Sequence, residues 1–148
     1  MTRSACITLA ALALAGCIND DLTLYEFELR GTVSVADGLP TTGDLHLELH
    51  HAESGAGRFS YPLGQFAAFP DVGSPDAELT VTARAPIDEG NGLVVYAWLD
   101  VDGDGMLCAP GVVDEPAGLV EVDTFPAHAL RFTLTLTSPC SGPEALYP

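Results

Sequence analysis

The stretch LTLYEFELRGTVSV, Leu22 to Val35, alternates without a break: Tyr25, Phe27, Leu29, Gly31, Val33 and Val35 share one parity, and Glu26, Glu28, Arg30, Thr32 and Ser34 the other. A period of two belongs to an extended chain with one face in a core and the other in water. Asp37, Gly38, Leu39, Pro40 and Gly43 then punctuate the chain, and alternation resumes from Asp44 to His50 with Leu45, Leu47 and Leu49 inward. A Gly-bearing loop near Ser54 to Gly57 follows. Further strand-like runs cover Arg58 to Leu63, Glu78 to Arg84, Leu93 to Leu99, Leu119 to Phe125 and Ala129 to Leu136. The run LVVYAWL, Leu93 to Leu99, is apolar on both faces, which is the pattern of a central strand. The mature chain has no apolar repeat at the helical period, and its Gly and Pro residues interrupt long helices. About seven short strands separated by turns predict an all-β fold, a single antiparallel β-sandwich.

The 148 residues fit one domain. The chain carries 21 acidic residues against 5 Arg and no Lys, for a net charge of -16. Nucleic-acid affinity is carried mainly by Lys and Arg neutralising phosphates, so this balance excludes nucleic acid as a partner. Disorder is opposed by a hydrophobic content of 47%, enough apolar surface to offset the entropy of folding.

The beginning, MTRSACITLAALALAGC, has one early charge at Arg3, an apolar run of about eleven residues from Ala5 to Ala15, then small residues. That is the layout of a secretory signal, and the run is short of the roughly 20 residues a membrane-spanning helix needs. Leu14, Ala15, Gly16 and Cys17 resemble the lipobox of bacterial lipoproteins. The resemblance implies that Cys17 is acylated and becomes the mature N-terminus. Each buried methylene contributes about 0.8 kcal/mol, so several acyl chains would hold the domain on a membrane almost permanently. Ile18, where an Asp would retain an enterobacterial lipoprotein in the inner membrane, points to the outer membrane of a bacterial cell envelope. The expected organisation is a signal peptide over 1–16, the lipidated Cys and a short linker over 17–22, the sandwich over 23–137 and a C-terminal tail over 138–148.

Of the four cysteines, Cys6 leaves with the signal and Cys17 takes lipid, which leaves Cys108 and Cys140. A remaining pair in an oxidising compartment predicts a disulfide.

The chemistry-bearing feature follows the central strand: Asp100, Val101, Asp102, Gly103, Asp104, Gly105. Three carboxylates at alternate positions, followed by a Gly that tolerates positive φ, suit a hard cation. Calcium loops gather oxygens in this way from positions 1, 3 and 5 and from the carbonyl of position 7, here Met106. At position 12, where the EF-hand places a bidentate Glu, stands Gly111; a closing carboxylate would be Asp114 or Glu115. The alternative is a plain acidic turn. Val95 to Leu99, Asp100 to Gly105 and GVVDEPAG, Gly111 to Gly118, are similar to secreted bacterial prealbumin-like (transthyretin-like) sandwich domains. That resemblance implies a prealbumin-like fold, with an immunoglobulin-like one as the other sandwich the pattern allows, in families that are mostly adhesive, structural or unassigned. It carries no catalytic residue.

Two further sets are candidates for binding. Asp44, His46, Glu48 and His50 share a strand face; His46, Glu48 and His50 offer ligands for zinc or copper, although neighbours in such a row stand about 7 Å apart, and a solvated sheet face is the simpler reading. Tyr96 and Trp98 also share a face and would stack a sugar if exposed, or fill the core if not. No GxSxG or HExxH motif is present, so no enzyme is expected. The functional expectation is a lipid-anchored envelope module stabilised by calcium, with a structural or interaction role. The alternative is a module that binds carbohydrate, peptide or a transition metal.

Overall fold

A computed structural model describes residues 24–55, 58–86, 91–108 and 114–146. Residues 1–23, where a leader and a lipobox ending at Cys17 are expected, and Gly111 lie outside the described residues. Among those described, seven strands carry the fold: β1 (Leu24–Val35), β2 (Asp44–Gly55), β3 (Arg58–Phe69), β4 (Glu78–Pro86), β5 (Asn91–Asp100), β6 (Pro116–Val122) and β7 (Ala129–Leu136). The tail adds a two-residue β8 (Ser138–Pro139) and one helical turn, α1 (Pro143–Leu146). The strands form a three-stranded sheet in the order β4-β1-β7 and a five-stranded sheet in the order β3-β2-β5-β6-β8, an all-β sandwich. Among the described residues no helix is long and apolar enough to cross a membrane.

One pairing departs from the antiparallel expectation. β7 runs parallel to β1, from Glu28 opposite Ala129 to Val35 opposite Leu136. Parallel neighbours require a crossover, and the chain makes it by passing through the other sheet and entering β7 from β6.

The alternation read from sequence places the core. Phe27, Leu29 and Val33 of β1 join Leu79, Val81, Ala83 and Ala85 of β4 and Leu130, Phe132, Leu134 and Leu136 of β7 on the inner face of one sheet. Leu45, Leu47, Leu49, Leu93, Val95, Ala97 and Leu99 face them from β2 and β5. Gly31 interrupts the inward row of β1 because Phe132 is its register partner: a Cβ on Gly31 would run into the Phe132 ring, which fills the gap instead. Burying these aliphatic side chains is the main stabilising term, at about 1.5 to 3 kcal/mol for each large one.

At one margin the sandwich is closed by a corner, where the chain steps from β7 to β8 and the Thr137 N–H donates to the Ala117 carbonyl at 3.0 Å. At the other margin, β4 ends one sheet and β3 the other.

Candidate metal-binding loop

β5 carries the chain from the core to its end at Asp100, whose side chain is buried. The loop that follows winds tightly because Gly103 and Gly105 take φ of 76° and 75°, a region that disfavours residues with a Cβ. The winding brings backbone donors onto the carboxylates. Gly103 N–H donates to Asp100 Oδ1 at 2.7 Å and Gly105 N–H to Asp100 Oδ2 at 2.8 Å. Asp104 N–H donates to Asp102 Oδ1 at 3.1 Å, and Met106 N–H to Asp104 Oδ1 at 2.8 Å. Burial pushes the Asp100 carboxyl up, but the N–H groups of Gly105, Gly103 and Asp104, with His46 beside it, outweigh burial and hold it below the usual carboxylate range.

Glu115 closes the loop from below. It is 1% exposed, and its carboxylate accepts Val101 N–H at 2.9 Å and Cys108 N–H at 2.5 Å, so one side chain gathers both ends of the loop. Cys108 is bonded to Cys140 across 5.4 Å between Cα atoms, the pair that the cysteine count leaves. Cys140 N–H in turn donates to the Glu115 carbonyl at 2.9 Å. Loop, Glu115 and tail are one cross-linked unit.

Within this unit, ligand oxygens of Asp100, Asp102 and Glu115 all lie within 4.8 Å of one another. Two ligands on opposite sides of a calcium ion, each about 2.4 Å from it, stand about 4.8 Å apart, so the spacing suits one shared ion. The grouping differs from the sequence-derived set in two members. Asp104 is exposed and outside the cluster, its carboxylate turned to Met106 N–H. Asp114 is also outside it, exposed beside Cys140, because Glu115 takes the inward parity at the start of β6. The Met106 side chain is exposed.

The polar row of β2 is not the solvated face its composition implies. His46 stacks on Trp98 with ring centroids 4.2 Å apart, and its Nε2 lies 3.8 Å from Asp100 Oδ2. His50 is buried, and its Nε2 lies 3.0 Å from Glu48 Oε2. The metal-competent cluster among the described residues does not include His46, Glu48 or His50.

Tyr96 and Trp98 are buried, as the core reading expects, but in a different place. They lie on the outer face of the five-stranded sheet and not between the sheets, yet they are only 1% and 6% exposed. Ala117 packs with them, and Leu107, Leu119 and Leu146 cover this second cluster. The Tyr96 hydroxyl donates to the Ser141 carbonyl. A sugar platform is therefore absent at these two rings. Sequence reasoning missed the cover itself, although its parts were visible as Leu107 beside Cys108 and Leu146 in the tail that Cys140 pins.

No protein-family model matches the chain, and no curated protein does. Among solved structures the chain is similar to an alternative pilotin from the type II secretion system of Vibrio cholerae, at 14% identity and a TM-score of 0.47, covering 80% of this chain and 100% of that one. A likeness of that size carries no functional inference.

Proposed function

We propose that this chain is a lipid-anchored module of the bacterial cell envelope in which calcium, held by Asp100, Asp102 and Glu115, fixes the loop after the central strand as part of a structural or interaction surface. The observation that carries the reading is the meeting of three carboxylates within 4.8 Å, two of them buried. Buried carboxylates so close repel one another, and desolvation makes each costly unless positive charge accompanies it. Arg30 and Arg84 pair with other carboxylates, and the contact to the three is His46, 3.8 Å from Asp100 and charged only when protonated. A divalent cation supplies the missing charge, and the Met106 carbonyl and the exposed Asp104 stand near enough in sequence to complete an oxygen shell. Burial of Tyr96 and Trp98 favours this reading over capture of a carbohydrate. The anchor rests on the resemblance of Leu14 to Cys17 to a lipobox.

Two measurements test it. Thermal melts of the full chain in detergent, with calcium or with chelator at matched ionic strength, should differ, and magnesium should give a smaller rise because its shell is smaller and more strictly octahedral. Equal melts in calcium and chelator refute the metal. Cys17→Ser should move the protein out of the membrane fraction, and retention there refutes the anchor.

A further inference from the structure

Among the described residues β4 is the last strand of its sheet and is paired on one side only, with β1. Among the described residues its backbone makes no hydrogen bond outside that ladder. Natural sheets blunt such margins with proline, bulges, Lys or very short strands, because a row of unpaired N–H and C=O groups recruits another strand. At the same margin the edge of the five-stranded sheet is blunted in this way: β3 contains Pro62, and its pairing with β2 slips twice, between Leu49 and His50 and between His51 and Glu53. Before its last residue β4 has none of these devices. It is nine residues long with its proline at the last position, it pairs with β1 without a register break, and from Leu79 to Ala85 it alternates buried Leu, Val and Ala with exposed Thr and Arg.

We propose that β4 is a self-association edge, at which two copies of this chain pair antiparallel about a two-fold axis through Val81. In an antiparallel pair, opposed residues face the same side, so an axis that keeps both cores continuous must pass through a residue. The axis at Val81 sets Glu78 opposite the partner's Arg84 at both ends of the pairing and Thr80 opposite the partner's Thr82 between them. An axis at Thr82 sets Arg84 against Thr80 and Glu78 against Pro86. One at Thr80 sets Glu78 against Thr82 and carries Arg84 beyond the strand. Only the Val81 register pairs opposite charges within the strand, and an isologous contact gains each pair twice. Arg84 already binds Glu26 of its own chain at 2.8 Å, and the guanidinium has donors enough for a second carboxylate. The product is a six-stranded sheet, three strands from each copy. A single strand edge buries less than the roughly 800 Å² per partner of a standard interface, so the dimer is weak and depends on concentration.

Sedimentation of the full chain in detergent at physiological salt, from micromolar to millimolar protein, should show a monomer–dimer equilibrium. Glu78→Arg and Arg84→Glu should each raise the dissociation constant about tenfold or more, because each places like charges together twice. The double variant should return to within about threefold of wild type. It does not restore the Glu26 pair, so recovery cannot come from repair inside one chain. Hydrogen exchange on the wild type gives a reading free of mutation: β4 amides should slow as concentration rises while those of β3 do not. A monomer across the range, single variants that associate like wild type, a double variant no better than the singles, or β4 exchange independent of concentration would each overturn the proposal.

Discussion

The hydroxyl of Tyr96 donates to the backbone carbonyl of Ser141 at 2.9 Å, so the middle of the central strand is tied to the C-terminal tail. The bond is made on the outer face of the five-stranded sheet, where Leu107 and Leu146 keep water from the ring. Burial, then the charges of Glu48 and Glu144, push the Tyr96 hydroxyl above its ordinary range.

Tyr96→Phe should cost about 1 kcal/mol at neutral pH, the usual net worth of one buried hydrogen bond. Its second effect is on pH dependence. A raised folded-state pKa gives a contribution that is complete below the unfolded value, about pH 10, and lost as pH climbs above it. Wild type should therefore lose stability more steeply than Tyr96→Phe above about pH 10, with the other tyrosines common to both. Denaturant melts across that range check it; parallel curves would mean that the hydroxyl titrates as it does in water.

Reducing the disulfide should detach the cover from Trp98. Cys108 and Cys140 are 32 residues apart in sequence, and the chain-entropy estimate for such a loop is about 3 to 4 kcal/mol. The chain has one Trp, so its emission reports this face alone. The expected outcome is a lower denaturant midpoint and a red shift of emission before the global transition. Emission unchanged on reduction would mean that the tail is held without the bond.

Much of this arrangement was legible in sequence, and the reasons for the rest are local. β1, β4 and β7 keep strict alternation and β5 was marked by its two apolar faces, so the strand pattern located each of them to within a few residues at either end, whereas β2 runs on past His50 to Gly55 through a bulge. β3 runs on to Phe69 because register slips against β2 break its period around Phe66, which turns to stack on His51. β6 begins at Pro116, three residues before its expected start, since Pro, Ala and Gly are weak strand formers and Pro116 pairs only with the two-residue β8. The carboxylate cluster was visible as a spacing of Asp100 and Asp102, but the choice of Glu115 over Asp114 depends on which parity faces inward just before that proline. Parity across a turn is a tertiary property. The outer apolar cluster was hidden for a similar reason: its parts lie on β5, β6, the loop and the tail, and no single window of sequence contains them.

Gly118→Ala should destabilise the fold by about 1 to 3 kcal/mol through overpacking. A Cβ there would meet the Thr135 carbonyl oxygen at 2.7 Å and Leu134 Cδ1 at 3.1 Å, where β6 passes β7 at the closed margin. Backbone on one side and a core side chain on the other leave little room to yield. Urea unfolding checks the cost, and Gly64→Ala, where a Cβ meets nothing within 4 Å, is the control. Equal losses at both positions would refute overpacking as the cause, since the restriction that Ala places on the unfolded chain stabilises the fold.

The cluster geometry separates the acids of the loop by their expected response to calcium. If free calcium is about ten times Kd and binds only the folded state, the gain is about 1.4 kcal/mol, which for a domain of this size raises Tm by roughly 3 to 6 °C. Asp102 is exposed and belongs to the cluster, so Asp102→Asn should remove most of that rise at little cost to the metal-free fold. Asp104→Asn should weaken it less, because the Asp104 carboxylate is turned to Met106 N–H and an Asn oxygen keeps that bond. Asp114→Asn should leave it unchanged. Glu115→Gln should lower stability even in chelator, since Val101 N–H and Cys108 N–H both depend on a carboxylate oxygen and an amide has only one. A calcium-dependent rise of equal size in wild type and Asp102→Asn would mean that calcium acts elsewhere on the acidic surface. Equal loss from Asp102→Asn and Asp114→Asn would mean that the response follows net charge and not the geometry of the three oxygens.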